Sequence, residues 1–225
     1  MNNNLTEIIY VLDRSGSMWH LADDAVGGYN AFLAEQRAKE DGEYRITTVL
    51  FNDKAETIVH HLDVRNASDL TAGKYDPNGM TALLDAVGIT IDGVGKYYAS
   101  LPEDERPGKV IFLIMTDGLE NCSIHYSRSQ IQEMIQHQET KYNWTFLLVG
   151  AGIDAYEASA DIGIAAINTV SVSATDRGIS NMYTSMSNAV NCVCDTGVLD
   201  ASYKAGLEDN LSAWGSLGGV HSVQF

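Results

Sequence analysis

Asp13, Ser15 and Ser17 stand at alternate positions immediately after the apolar run 8–12, in a turn opened by Gly16. One carboxylate and two hydroxyls are hard oxygen donors. At the carboxyl end of a buried strand, such donors suit a small divalent cation such as Mg²⁺. Open α/β sheets place their ligand sites in the crevice beyond those strand ends. Two more segments supply the same chemistry. In Gly79-Met80-Thr81-Ala82-Leu83-Leu84-Asp85 a threonine stands where a loop turns into an amphipathic helix. The apolar run 111–115 leads into Thr116-Asp117-Gly118, a second buried strand ending on an aspartate and a glycine. Singly, each has an ordinary reading: an Asp after a strand is common, and a Thr before a helix is an N-cap.

Asp-x-Ser-x-Ser, then a helix-initial Thr, then a strand-terminal Thr-Asp-Gly, in that order, resembles the metal-ion-dependent adhesion site of von Willebrand factor A-type domains. The resemblance covers residues 4–195. It implies that Ser15, Ser17 and Thr81 ligate the metal directly. Asp13 and Asp117 then act mainly through coordinated waters, with Asp117 able to bind directly in an alternative state. It further implies an intracellular bacterial or phage domain, an adaptor working beside ATPases, kinases or stress-response systems.

Neutral hydroxyls around Mg²⁺ (or Mn²⁺) leave most of its charge uncompensated, so an Asp or Glu carboxylate from a partner protein can complete the octahedron. Asp13 and Asp117, bonded to the metal's waters, orient that shell without quenching it. Asp85 lies one helical turn beyond Thr81, shares its face and can buttress its hydroxyl. Gly16 and Gly118 border the site, and Glu120 and Asn121 belong either to its rim or to a solvated loop.

The elements that must position these groups follow from periodicity. Residues 5–12 read as a strand, and Ala22, Val26, Tyr29 and Leu33 then recur at helical spacing. Residues 44–51 and 55–62 read as a hairpin turning at Asn52-Asp53-Lys54. Leu84, Val87, Ile91, Val94 and Tyr98 form a helical stripe. A charged turn at 102–107 leads to a strand at 110–115, and Ser129 caps a helix through Ile131, Met134 and Ile135. A strand at 144–149, a short helix at 154–161, a strand at 166–172 and a helix opened by Thr175 complete the alternation. This pattern predicts a doubly wound α/β fold. Its central sheet has about six mostly parallel strands with helices on both faces and one antiparallel edge strand, Rossmann-like in layout. Residues 1–196 are expected to form this domain, with 197–225 a docked or flexible extension, weakly amphipathic over 207–214. Gly27-Gly28 inside the first helix costs about 1 kcal/mol per glycine, which close packing against a neighbour would offset.

Other chemistries fit less well. A Mg²⁺-dependent hydrolase on the same oxygens needs an activated water with a base poised beside it. The histidines His20, His60, His61, His125, His137 and His221 lack metal-ligand spacing, although His20 and His125 follow the site loops closely. Cys122 has no Cys-His arrangement to activate it. Cys192-x-Cys194 lacks the second pair a zinc site requires. Gly150-Ala151-Gly152-Ile153-Asp154-Ala155 matches G-x-G-x-x-A, yet it follows a late strand and no acidic residue ends the next one. A third reading is a structural or assembly protein associating through its extension.

The chain's 225 residues carry 14 Lys and Arg against 30 Asp and Glu, a net charge of −16. That field repels phosphate backbones and anionic membranes, so nucleic acid and membrane are not expected partners. The first residues carry no basic region, and no apolar stretch reaches the ~18 residues of a membrane span. With 3 cysteines, an odd number, a disulfide framework is not expected. The expected compartment is the cytoplasm.

Overall fold

In the computed structural model, residues 1–205 are described. The first strand, β1 (Asn2–Asp13), is buried continuously from Leu5. From Ile8 to Leu12 the buried residues are apolar on both faces, which is what a central parallel strand needs. Helix α1 (Ala22–Arg37) returns the chain to β2 (Glu43–Phe51), and a hairpin adds β3 (Ala55–Asp63). Then follow α2 (Leu83–Ser100), β4 (Pro107–Thr116), α3 (Arg128–Tyr142), β5 (Thr145–Ala151), α4 (Ala155–Ile162), β6 (Thr169–Val172) and α5 (Asp176–Thr196). The sheet order is β3-β2-β1-β4-β5-β6, with only the β2–β3 pair antiparallel. The expected α/β sheet, including its antiparallel edge, is therefore present.

Alternate residues of β1 feed two cores. Ile8, Tyr10 and Leu12 pack with Phe32 and Leu33 of α1 and Met182 and Met186 of α5. Ile9 and Val11 pack with Val87 and Ile91 of α2, Ile131 of α3 and Ala158 of α4. From β1 the chain winds outward through β2 and β3, and from β4 it winds the other way. The direction switches between β1 and β4, so the ends of those two strands frame the crevice where such sheets bind ligands.

Several boundaries differ from the sequence expectation. Ser127, not Ser129, caps α3 through a reciprocal capping box with Gln130. The last strand is shorter than expected, because 166–168 form a 3₁₀ turn before it. The glycine pair of α1 divides. A Cβ on Gly28 would lie 1.9 Å from the Tyr183 ring of α5, whereas one on Gly27 would meet nothing within 4 Å. Close packing thus accounts for Gly28 alone. The segment 64–82, unassigned by periodicity, folds back over the α1 side. Val64, Leu70 and Tyr75 are buried there, and Asn30 clasps both the N–H and the C=O of Leu70.

At the β3 edge the register slips twice around Thr48, and His61 adopts φ 47°. Its ring turns inward, stacks on Tyr97 at 3.8 Å and places Nδ1 2.9 Å from Glu7 Oε1, which also accepts from the Thr47 hydroxyl at 2.8 Å.

Beyond α5, Tyr203 is buried, and its hydroxyl donates to Ile167 O at 2.7 Å. Residues 206–225, with the 207–214 stretch and His221, lie outside the described residues. Among the described residues no helix is long and apolar enough to cross a membrane.

Candidate metal centre

Three loops meet over the β1–β4 crevice. Asp13 ends β1 with its side chain fully buried. Its Oδ1 accepts from Ser15 N at 2.7 Å, and its Oδ2 accepts from the Thr116 hydroxyl at 2.6 Å. Burial pushes its carboxyl up to about 6, against those hydrogen bonds, which favour the charged form. Ser15 Oγ and Ser17 Oγ lie 3.1 Å apart, and Ser17 Oγ donates to Asp117 Oδ1 at 2.6 Å. Burial also raises Asp117, opposed by the Ser17 hydrogen bond and by the charge of nearby His20.

The Thr81 loop closes over this pair. Gly16 N donates to Gly79 O at 3.0 Å, and Asn78 N donates to Arg14 O at 3.0 Å. Gly79 takes φ 76°, the left-handed region glycine adopts without strain. A Cβ on Gly118 would lie 2.9 Å from Thr81 Oγ1 and 3.7 Å from Ser17 Oγ, so glycine is what lets the third loop approach the hydroxyls. Thr81 is not the N-cap of α2: Ala82 occupies that position and has no side-chain oxygen to cap with, and the free amides Leu84 N and Asp85 N are met instead by Glu120 and Ser123 of the later loop. The Thr81 side chain, in a residue only 3% exposed, makes no hydrogen bond among the described residues, which leaves its hydroxyl oxygen available.

Asp85, Glu120 and Asn121 surround the site from behind. Asp85 accepts from the amides of Ile124, His125 and Tyr126, each at 2.9 Å. Its carboxylate thus holds the loop after Asp117, and no bond to the Thr81 hydroxyl is present. Glu120 accepts from Leu84 N at 2.8 Å and from Ser123 N at 2.7 Å, which ties the start of α2 to the same loop. Asn121 Oδ1 accepts from Thr81 N at 2.9 Å, while Asn121 N donates to Thr81 O at 3.1 Å. Two anchors carried no sequence signal of their own. Tyr75 donates its hydroxyl to Asp13 O at 2.5 Å, and Asn52 Nδ2 donates to Asn78 O at 3.0 Å.

The competing chemistries find little here. Among the described residues no three His, Cys, Asp or Glu side chains gather as a metal cluster, so the oxygen set is distinguished by its hydroxyls. Burial and the neighbouring Glu120 push the Cys122 thiol up, away from a reactive thiolate. Gly152 turns the chain at φ 71° with its N–H on Val172 O at 2.8 Å, and a Cβ on Gly150 would strike Ala155 at 2.7 Å. Those glycines serve the strand-to-helix turn.

No protein-family model and no curated protein matches the sequence. Solved structures match the fold. The von Willebrand factor domain of the type V pili tip protein Mfa5 from Porphyromonas gingivalis superposes with a TM-score of 0.60 at 9% identity, over 86% of this chain and 97% of that one. Manganese-loaded Plasmodium vivax TRAP protein gives a TM-score of 0.56 at 16% identity, over 77% of this chain and 70% of that one. Proximal thread matrix protein 1 from the mussel byssus, with a zinc-occupied MIDAS motif, gives 0.55 at 16% identity, over 86% of this chain. The chain spans 47% of the mussel protein's length. At these identities the likeness establishes the von Willebrand A-type fold.

Proposed function

We propose that this chain, folded as a von Willebrand A-type domain, is a divalent-cation-dependent protein-binding module. The observation that carries this reading is the meeting of Ser15, Ser17 and Thr81 hydroxyls with Asp13 and Asp117 over one crevice, tied by the 3.1 and 2.6 Å contacts at Ser17. The donor set fits Mg²⁺ or Mn²⁺: all oxygen, with two carboxylates whose raised protonation equilibria a cation would reverse. A bound cation supplies an electrophilic position that an Asp or Glu of a partner can fill.

The chain's own residues do the rest. Ser15, Ser17 and Thr81 would hold the ion without neutralising it. Asp13, fixed by Thr116 and Ser15, and Asp117, bonded to Ser17, set the orientation of the hydroxyls. Asp85 and Glu120 are occupied by backbone amides and stiffen the frame, which leaves neither as a base for hydrolysis. The three unpaired thiols, Cys122, Cys192 and Cys194, support a reducing cytoplasmic setting. An adaptor beside an ATPase or kinase system is the partner class that the sequence resemblance favours.

Calorimetric titration of Mg²⁺ and Mn²⁺ tests the site. Binding in the natural chain, lost in a Ser17→Ala/Thr81→Ala variant that still folds, is the expected result. Equal affinity in both, or none in the natural chain, refutes the assignment.

A further inference from the structure

Trp19, Met80, Leu119 and Ile124 are 76, 55, 44 and 83% exposed, and each stands on a loop that builds the oxygen site. Trp19 lies two residues past Ser17, Met80 immediately precedes Thr81, and Leu119 lies two past Asp117. Ile124 stands where the loop is pinned to Asp85 Oδ2. These positions are held by backbone N–H groups donating to side-chain oxygens. Met80 N donates to Asp53 Oδ1 at 2.6 Å, and the loop beyond Leu119 is tied to Thr81 through Asn121. Single exposed apolar side chains are ordinary, whereas several gathered around one polar site mark a contact surface. Trp and Met are also enriched at the centres of interfaces.

Charge narrows the occupant. A chain of net charge −16 repels a strongly acidic partner, so a recognised carboxylate is best delivered singly. Apolar neighbours on the partner would cover Trp19 and Leu119, exclude water and strengthen the attraction at the hydroxyl site. Resting on the carboxylate-accepting reading above, we infer that these four side chains form a collar. It selects a protein segment in which one Asp or Glu is flanked by apolar residues.

The probe is a phage-displayed library of short peptides with a fixed central Asp and randomised flanks, panned on the full chain in Mg²⁺. Enrichment of apolar flanks is expected. A Trp19→Ser/Leu119→Ser variant should bind the selected peptide at least about tenfold more weakly while its Mg²⁺ affinity by calorimetry stays unchanged. Selection of polar or charged flanks, or equal peptide affinity in that variant, overturns the collar and leaves the carboxylate reading standing. Apolar peptides that bind equally in a chelator, or with Asn replacing the central Asp, overturn the carboxylate reading itself. Failure to enrich any Mg²⁺-dependent peptide overturns both.

Discussion

Replacing Asp13 by Asn should make the metal-free protein more stable and Mg²⁺ useless to it. The carboxyl sits buried with its protonation equilibrium displaced from 3.8 to about 6. At about 1.4 kcal/mol per pH unit, keeping it charged at neutral pH costs the fold about 3 kcal/mol. Asn keeps the shape. Its Oδ1 still accepts from Ser15 N, and its Nδ2 can donate to Thr116 Oγ1, whose own proton turns to Gly118 O at 2.9 Å.

The folded value lies above the unfolded one, so the cost is present above about pH 6 and fades as pH falls toward about 4. In chelator at pH 7.5 the variant should therefore melt about 6–12 °C higher than the natural chain, at about 2–4 °C per kcal/mol for a domain of this size. Near pH 4 the gap should close. Saturating Mg²⁺, which contributes about 2.7 kcal/mol at a hundredfold excess over Kd, should raise only the natural chain. Thermal melts with and without Mg²⁺ across that pH range decide the matter. A gap that ignores pH, or an unchanged Mg²⁺ response in the variant, refutes the reasoning.

Three further predictions use single contacts. Gly28→Ala, which drives a methyl into the Tyr183 ring, should destabilise by about 1–3 kcal/mol in urea, whereas Gly27→Ala should stabilise by up to about 1 kcal/mol. Gly118→Ala should displace the Thr81 hydroxyl and weaken Mg²⁺ binding in calorimetry by about tenfold or more, with an unfolding midpoint close to the natural one. Asp85→Ala strands three amides and should cost about 1–3 kcal/mol, read also as faster hydrogen exchange at Ile124, His125 and Tyr126. Unchanged protection there would show that Asp85 does not hold the loop.

Much of this molecule can be read from its residues, for physical reasons that also mark where reading fails. The apolar runs of β1 and β4 announce buried parallel strands, and Asp13 and Asp117 at their ends locate the crevice. Thr175 and its Gly178 amide cap α5 as its position suggests. Local pattern does not reveal what depends on distant partners. Tyr75 reaches Asp13 O from 62 positions away, and Asn52 holds the Thr81 loop through Asn78. Helical spacing puts Asp85 and the Thr81 hydroxyl on one face, but three amides from a later loop claim the carboxylate oxygens first. Ser127 and Ser129 are equally plausible caps by type, and only the reciprocal bond with Gln130 separates them.

The borders of the sheet bear on how the molecule meets others. At one border the inward turn of His61 kinks β3, and at the other β6 offers four residues. A foreign strand laid along β6 would find too few amides in line to zip onto, and one laid along β3 would lose register at His61. Edge-to-edge stacking of copies along β6 is thereby discouraged, which leaves the end where the loops of β1 and β4 emerge as the recognising surface under the function proposed above.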